Sequence, residues 1–151
     1  MTAYADSSAI VKLYVDEESS ERMRTWAGPI FVSAVVKVDV TGAIWRKQRL
    51  DQRPAAAARL TADSFHRDLE AFSGQVQLLP LVLTPAILER ATDLVARHPL
   101  RAYDAVQLAT AMEAREVVPV EEFLAFDRTL CTAAAVEGFD VPFDEPISVS
   151  P

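Results

Sequence analysis

Four aspartates, Asp6, Asp39, Asp104 and Asp127, stand where carboxylates could work together on one reaction. Asp6 directly follows residues 2–5, and Asp127 directly follows residues 122–126. Both runs read as strands. In a parallel sheet, residues just past the strands share one edge, where ligands bind. Asp39 lies within Val35-Val36-Lys37-Val38-Asp39-Val40, in a segment that reads as helix. Its neighbours three and four positions away are Val35, Val36, Gly42 and Ala43, so the carboxylate rides on an apolar, small-residue stripe. A buried carboxylate is costly unless it is paired, hydrogen-bonded or bound to metal. Four such groups meeting in one cleft repel and raise each other's pKa values. A hard divalent cation resolves that repulsion, and Mg²⁺ binds through a few carboxylates plus substrate phosphates while keeping several waters.

Each acid also has a plainer role. Asp6 and Asp127, between strand and helix, are favoured N-cap residues. Asp104 falls in the first turn of a helix over residues 103–115, where a negative charge complements the helix dipole. Asp39 has two outlets, an ion pair with Arg46 two turns on or a metal site.

The elements that must position these acids follow from the pattern of apolar residues. Strands are expected at 2–5, 30–32, 76–81, 122–126 and 139–141. Helices are expected at about 8–15, from a cap at Ser19 or Ser20 through Met23 and Trp26, from a cap at Ser33 to about 48, and from Pro54 through Phe72 to a stop at Gly74. Three more follow, from Thr84-Pro85 to Pro99, at 103–115, and at 128–136 before Gly138. Short strands alternating with helices give an α/β parallel sheet covered on both faces.

Composition narrows the function classes. The 151 residues suit a single domain, 1–151. Cys131 alone cannot make an internal disulfide and reads as a small core residue. Two histidines, His66 and His98, with no Cys/His spacing, argue against zinc. The four glycines make no phosphate loop. The N-terminus has no basic then apolar leader, and the longest apolar stretch, 76–88, is too short to span a bilayer, so a cytoplasmic protein without a membrane partner is expected. The net charge of −7 opposes nonspecific nucleic-acid binding. Bound metal would offset it locally, and a rim of Lys12, Arg46, Lys47, Arg49, Arg53 and Arg128 would offset it further.

Longer stretches carry a family resemblance. Tyr4-Ala5-Asp6-Ser7-Ser8-Ala9-Ile10-Val11-Lys12-Leu13-Tyr14 is similar to the opening motif of PIN-domain VapC toxins. Ser33 followed by Asp39, then Leu100-Arg101-Ala102-Tyr103-Asp104-Ala105-Val106-Gln107-Leu108-Ala109, then Phe123-Leu124-Ala125-Phe126-Asp127-Arg128-Thr129-Leu130, resemble the second, third and fourth motifs in order and spacing. The resemblance implies a PIN-like three-layer α/β/α fold with a four- to five-stranded parallel sheet. It implies a Mg²⁺/Mn²⁺-dependent endoribonuclease, the toxin of a type II toxin–antitoxin pair held inactive by a VapB-type antitoxin, and a homodimer. By motif position it makes Asp6, Asp39, Asp104 and Asp127 the metal and catalytic residues, with Ser7 supporting the first.

Three positions depart from that family's pattern: Asp39 in place of Glu, Ala125 in place of a Ser or Thr, and Gln107 in place of His. Gly42 and Ala43 would let the shorter Asp39 approach more closely. The Asp39 and Ala125 changes also motivate an alternative, a catalytically weak protein of the same fold acting mainly as an antitoxin or RNA partner. A phosphatase or receiver-type phosphoryl-transfer domain also places acids at strand ends. A receiver needs a paired acid after the first strand, where this chain has Ser7-Ser8, and a late lysine, where it has Arg128.

Overall fold

Parallel strands covered by helices on both faces must be apolar on both sides, and the central strand here is. Every residue of β1 (Ala3–Ala5) is fully buried. The computed structural model describes residues 2–70 and 76–144. β1 pairs in parallel with β2 (Ile30–Ser33) on one side and β4 (Glu122–Leu124) on the other. β3 (Leu78–Leu81) pairs with β2, giving a four-stranded parallel sheet in the order β3-β2-β1-β4. Pro80 sits in β3, an edge strand, where its missing N–H costs no ladder bond.

Side-chain alternation divides the core in two. Ala3, Ala5, Ile30, Val32, Leu78 and Leu124 face a cluster built on α1 (Ser7–Tyr14), α2 (Ser20–Arg24), α3 (Val36–Leu50) and α4 (Ala55–Glu70). Tyr4, Phe31, Leu81 and Phe123 face the opposite cluster, built on α5 (Pro85–Arg97), α6 (Ala102–Val117) and α7 (Arg128–Val136). The result is the expected α/β/α sandwich. The chain lays down β1, β2 and β3 outward in one direction, then crosses through α5 and α6 to place β4 on the far side of β1. The strand order therefore reverses between β1 and β4. A crevice opens at such a switch point beyond the strands' carboxyl ends.

Several expected elements shift for local reasons. The strand at 139–141 reduces to one parallel bridge, Glu122 to Asp140, because Pro142 has no N–H to continue the ladder. Ser19 adopts a left-handed φ of 66° and makes no side-chain cap; the Ser20 hydroxyl instead accepts from the Glu17 N–H and donates to the Val15 carbonyl. Ser33 ends β2 instead of capping α3, although its Oγ still accepts from the Val35 N–H at 3.4 Å. Trp26 falls past α2, and Pro54 precedes α4 by one residue. Thr84 does cap α5, with Pro85 in the first turn. Phe72 and Gly74 lie outside the described residues. Cys131 is buried, as a core residue should be, and its Sγ donates to the Ala125 carbonyl. No helix among the described residues is long and apolar enough to cross a membrane.

Candidate functional site

Asp6 directly follows β1, while β4 ends at Leu124, two residues short of the expected 126, so Asp127 stands three residues past it at the same edge of the sheet. The Asp6 N–H donates to the Leu124 carbonyl at 3.1 Å, extending the β1–β4 pairing by one residue and fixing where the Asp6 side chain begins. That side chain caps α1: its Oδ1 accepts from the Ala9 N–H at 3.0 Å, and the Ser8 hydroxyl donates to the carboxylate at 2.9 Å. Asp127 caps α7 in the same way, accepting from the Leu130 N–H at 2.8 Å. The plain N-cap role of both residues is therefore real.

Capping does not exhaust what Asp6 does. It is only 5% exposed. Its pKa is raised to about 6: burial pushes it up most, the hydrogen bonds from Ala9 and Ser8 pull it down, and the charges of Asp104 and Asp127 add to the rise. Asp104, half-buried in the first turn of α6, is raised by its own burial and then by Asp127, against a smaller lowering by Arg101. Three acids from three separate parts of the chain therefore act on one another through space. The arrangement is not a closed cage. Among the described residues, no group of three or more His, Cys, Asp or Glu is drawn together as a ready-made metal site.

Asp39 lies on α3 and is not among the charges that act on Asp6 or Asp104. It is half-buried, while Val36 and Val40 beside it are fully buried. Among the described residues no ion pair joins it to Arg46, which is exposed; that outlet is not taken. The Asp39 charge acts instead on the Tyr103 phenol. That phenol's pKa is raised by burial, lowered by the Ser7 hydroxyl and raised by the Asp39 charge. Gly42 does not serve as a point of close approach: nothing lies within 4 Å of where its Cβ would stand. A glycine in open space within a helix only costs backbone entropy. Gly42→Ala is expected to raise stability by about 0.5–1 kcal/mol, read as a higher urea midpoint with unchanged slope.

The basic residues do not form one rim. Lys12 and Arg128 line a cavity of about 320 Å³ together with Phe126, Phe143, Glu18, Ser19 and Asp144. Phe126 and Arg128 flank Asp127 in sequence, so this cavity adjoins the acids. Lys12 is partly neutralised by Glu17 at 2.9 Å. Lys47 and Arg53 instead gather at Asp51 and line a different cavity against α4. Arg46 and Arg49 point to solvent.

The sequence reading passed over Tyr4 and Tyr103 and gave Gln107 no chemical part. The signal available was spacing: Tyr103 and Gln107 are four apart on α6 and share a face. As a donor set, the acids are all carboxylate oxygens; Asp104 and Asp127 raise the pKa of Asp6, and Arg101 lowers that of Asp104. That chemistry suits a hard divalent ion that keeps part of its water shell, so ligands need not close on it directly.

Comparisons with known proteins bear on the family and the fold. A model of the PIN domain family matches residues 3–135. Among solved structures, a chain of a toxin–antitoxin complex from Klebsiella pneumoniae superimposes with a TM-score of 0.61 at 16% identity, covering 95% of this chain and 99% of that one. Mycobacterium tuberculosis VapC20, a toxin that cleaves the sarcin–ricin loop, superimposes with a TM-score of 0.62 at 18% identity, covering 93% and 97%. Identities this low establish the shared fold. No curated protein matches the sequence significantly.

Proposed function

The chain belongs to the PIN domain family, and from that premise we propose that it is a Mg²⁺- or Mn²⁺-dependent endoribonuclease, the toxin of a VapBC-type pair. The observation that carries the reading is the convergence of Asp6, Asp104 and Asp127 at the β1/β4 switch point, close enough for the latter two to raise the pKa of the first. Asp6, Asp104 and Asp127 would hold the ion, and Asp39 would complete its surroundings from α3. A bound divalent ion would lower the pKa of its water and offset charge on the scissile phosphate. The chain's own residues supply the rest. The caps at Ala9 and Leu130 fix two carboxylates at the helix starts, and Lys12 and Arg128 offer cations to the flanking RNA phosphates. Neither histidine belongs to the crevice: His66 binds Thr41 and His98 binds Glu137. A VapB-type antitoxin is part of the same proposal, supported by the toxin–antitoxin complex among the similar structures, and a homodimer is proposed with it from the family resemblance alone.

The test is cleavage of total RNA by purified protein with Mg²⁺, with Mn²⁺ and with excess EDTA. Cleavage that needs the ion and stops in EDTA is expected; cleavage undiminished in EDTA, or none with either ion, removes the proposal. One observation favours a second reading, a weakly catalytic binding partner: the acids form no closed cage. Calorimetric titration separates the two, since the second reading requires no divalent binding at millimolar concentration.

A further inference from the structure

Residues 125–127, between β4 and α7, belong to neither element. The chain is tied on both sides of this gap. The Asp6 N–H donates to the Leu124 carbonyl at 3.1 Å, and the Leu130 N–H donates to Oδ1 of Asp127 at 2.8 Å. The path between those ties decides how far Asp127 stands from Asp6. Phe126 lies on that path, and its side chain is held by distant parts of the chain. Its ring stacks on that of Phe143, with centroids 4.9 Å apart and planes 8° from parallel, within the range of a favourable offset stack. The Lys12 ammonium lies over the Phe126 ring, 5.0 Å from its centroid, and the Arg22 guanidinium lies over the Phe143 ring at 5.5 Å. Both are cation–π distances. Lys12 is itself fixed, because its ammonium donates to Oε1 of Glu17 at 2.9 Å and to the Glu18 carbonyl at 2.8 Å.

Local sequence brings Phe143 to this cluster. Asp140 makes the isolated bridge to Glu122. The Asp144 N–H then donates to the Val141 carbonyl at 3.2 Å. That bond closes a turn with Pro142 in second place, where its fixed φ is favoured. Phe143 takes the third place and is buried. At the other end of the cluster, Lys12 lies in the last turn of α1, the helix that Asp6 caps. The contact from Lys12 to Phe126 therefore joins the helix that begins at Asp6 to the residue before Asp127. A ring lost from the cluster would let residues 125–127 shift, and with them the gap between two carboxylates. A binding constellation tolerates only about 0.5 Å of such drift.

We propose that Phe143 is a positioning residue for the metal site: stacked on Phe126, with Lys12 over that ring, it sets the spacing between Asp127 and Asp6. The inference rests on the ribonuclease reading of that crevice. Phe143→Leu keeps an apolar side chain and removes the ring. In calorimetry this variant is expected to bind Mn²⁺ about tenfold more weakly than the wild type, with kcat on an RNA oligonucleotide lowered by about the same factor and KM unchanged. Phe143→Tyr keeps the ring and should restore both. Phe126→Leu breaks the same stack from the other side, and it carries the test if Phe143→Leu does not fold. The double variant should be no worse than the poorer single. If Phe143 serves only the core, Phe143→Leu lowers the thermal midpoint while Mn²⁺ affinity and kcat keep their wild-type values. That result overturns the proposal, as does a Phe143→Tyr variant that loses as much affinity as Phe143→Leu. A wild type that binds Mn²⁺ but cleaves no RNA removes the ribonuclease reading and leaves the positioning role to be decided by the affinities. A wild type that neither binds Mn²⁺ nor cleaves RNA overturns both.

Discussion

Asp104→Asn is expected to reduce metal-dependent RNA cleavage by about 100-fold or more, with folding stability nearly unchanged. The residue is the cleanest probe of the four. Asp6 and Asp127 each cap a helix, so truncating either to alanine would disturb α1 or α7 as well as the crevice. Asp104 makes no cap, and its only structural service is a negative charge in the first turn of α6. That service contributes about 0.3–1 kcal/mol. Asparagine keeps the side chain's shape and one carbonyl oxygen while removing the charge that acts on Asp6. Substituting even an outer partner of a metal ligand costs about 10–100-fold in affinity or activity, and a ligand itself should reach or pass the upper end. Single-turnover cleavage and a urea unfolding curve on the same preparation decide between the roles. A variant that cleaves within about twofold of the wild type would reduce Asp104 to a dipole partner.

The order of elements was legible because each left a local mark. The Thr84-Pro85 start of α5 and the strand-then-acid pattern at Asp6 and Asp127 are chemical signals confined to a few residues. The rule that residues just past parallel strands share an edge accounts for Asp6 and Asp127, but Asp104, in the first turn of α6, follows no strand, and its influence on Asp6 is a tertiary fact. What was not legible depended on partners distant in sequence. Asp39 could be read only as needing a partner, and its charge's influence on the Tyr103 phenol, with no ion pair to Arg46 among the described residues, depends on the fold. Gln107 looked inert because its two hydrogen bonds run to Ser7 and Tyr4, each about a hundred residues away. The split of the basic residues between Asp51 and the cavity beside Asp127 is likewise a tertiary fact. The lost fifth strand was foreseeable, since Pro142 follows it directly and cannot donate to a ladder.

Removing the charge at Asp6 should stabilise the protein as it removes the activity. Most carboxylates are more acidic in the folded state, so folding weakens as the pH falls. Asp6 has the opposite sign. Burial, assisted by Asp104 and Asp127, raises its pKa from 3.8 to about 6, so the folded state binds this proton more tightly than the unfolded state. Between pH 3.8 and about 6, raising the pH therefore takes stability away through this group, and above about 6 the whole cost is present. At about 1.4 kcal/mol per pKa unit, that cost is roughly 3 kcal/mol. Asp104, also raised, adds to it in the same direction. Asparagine is as good an N-cap as aspartate, so Asp6→Asn keeps the bond from the Ala9 N–H. In divalent-free buffer at pH 7.5, Asp6→Asn should melt roughly 5–10 °C above the wild type, and the gap should narrow as the pH is lowered toward 4. Added Mn²⁺ should then raise the wild type and leave the variant where it was, because the ion offsets a charge that only the wild type carries. A variant less stable than the wild type at pH 7.5 without metal would show that Asp6 is held charged by its cap alone, with no strain for a cation to relieve.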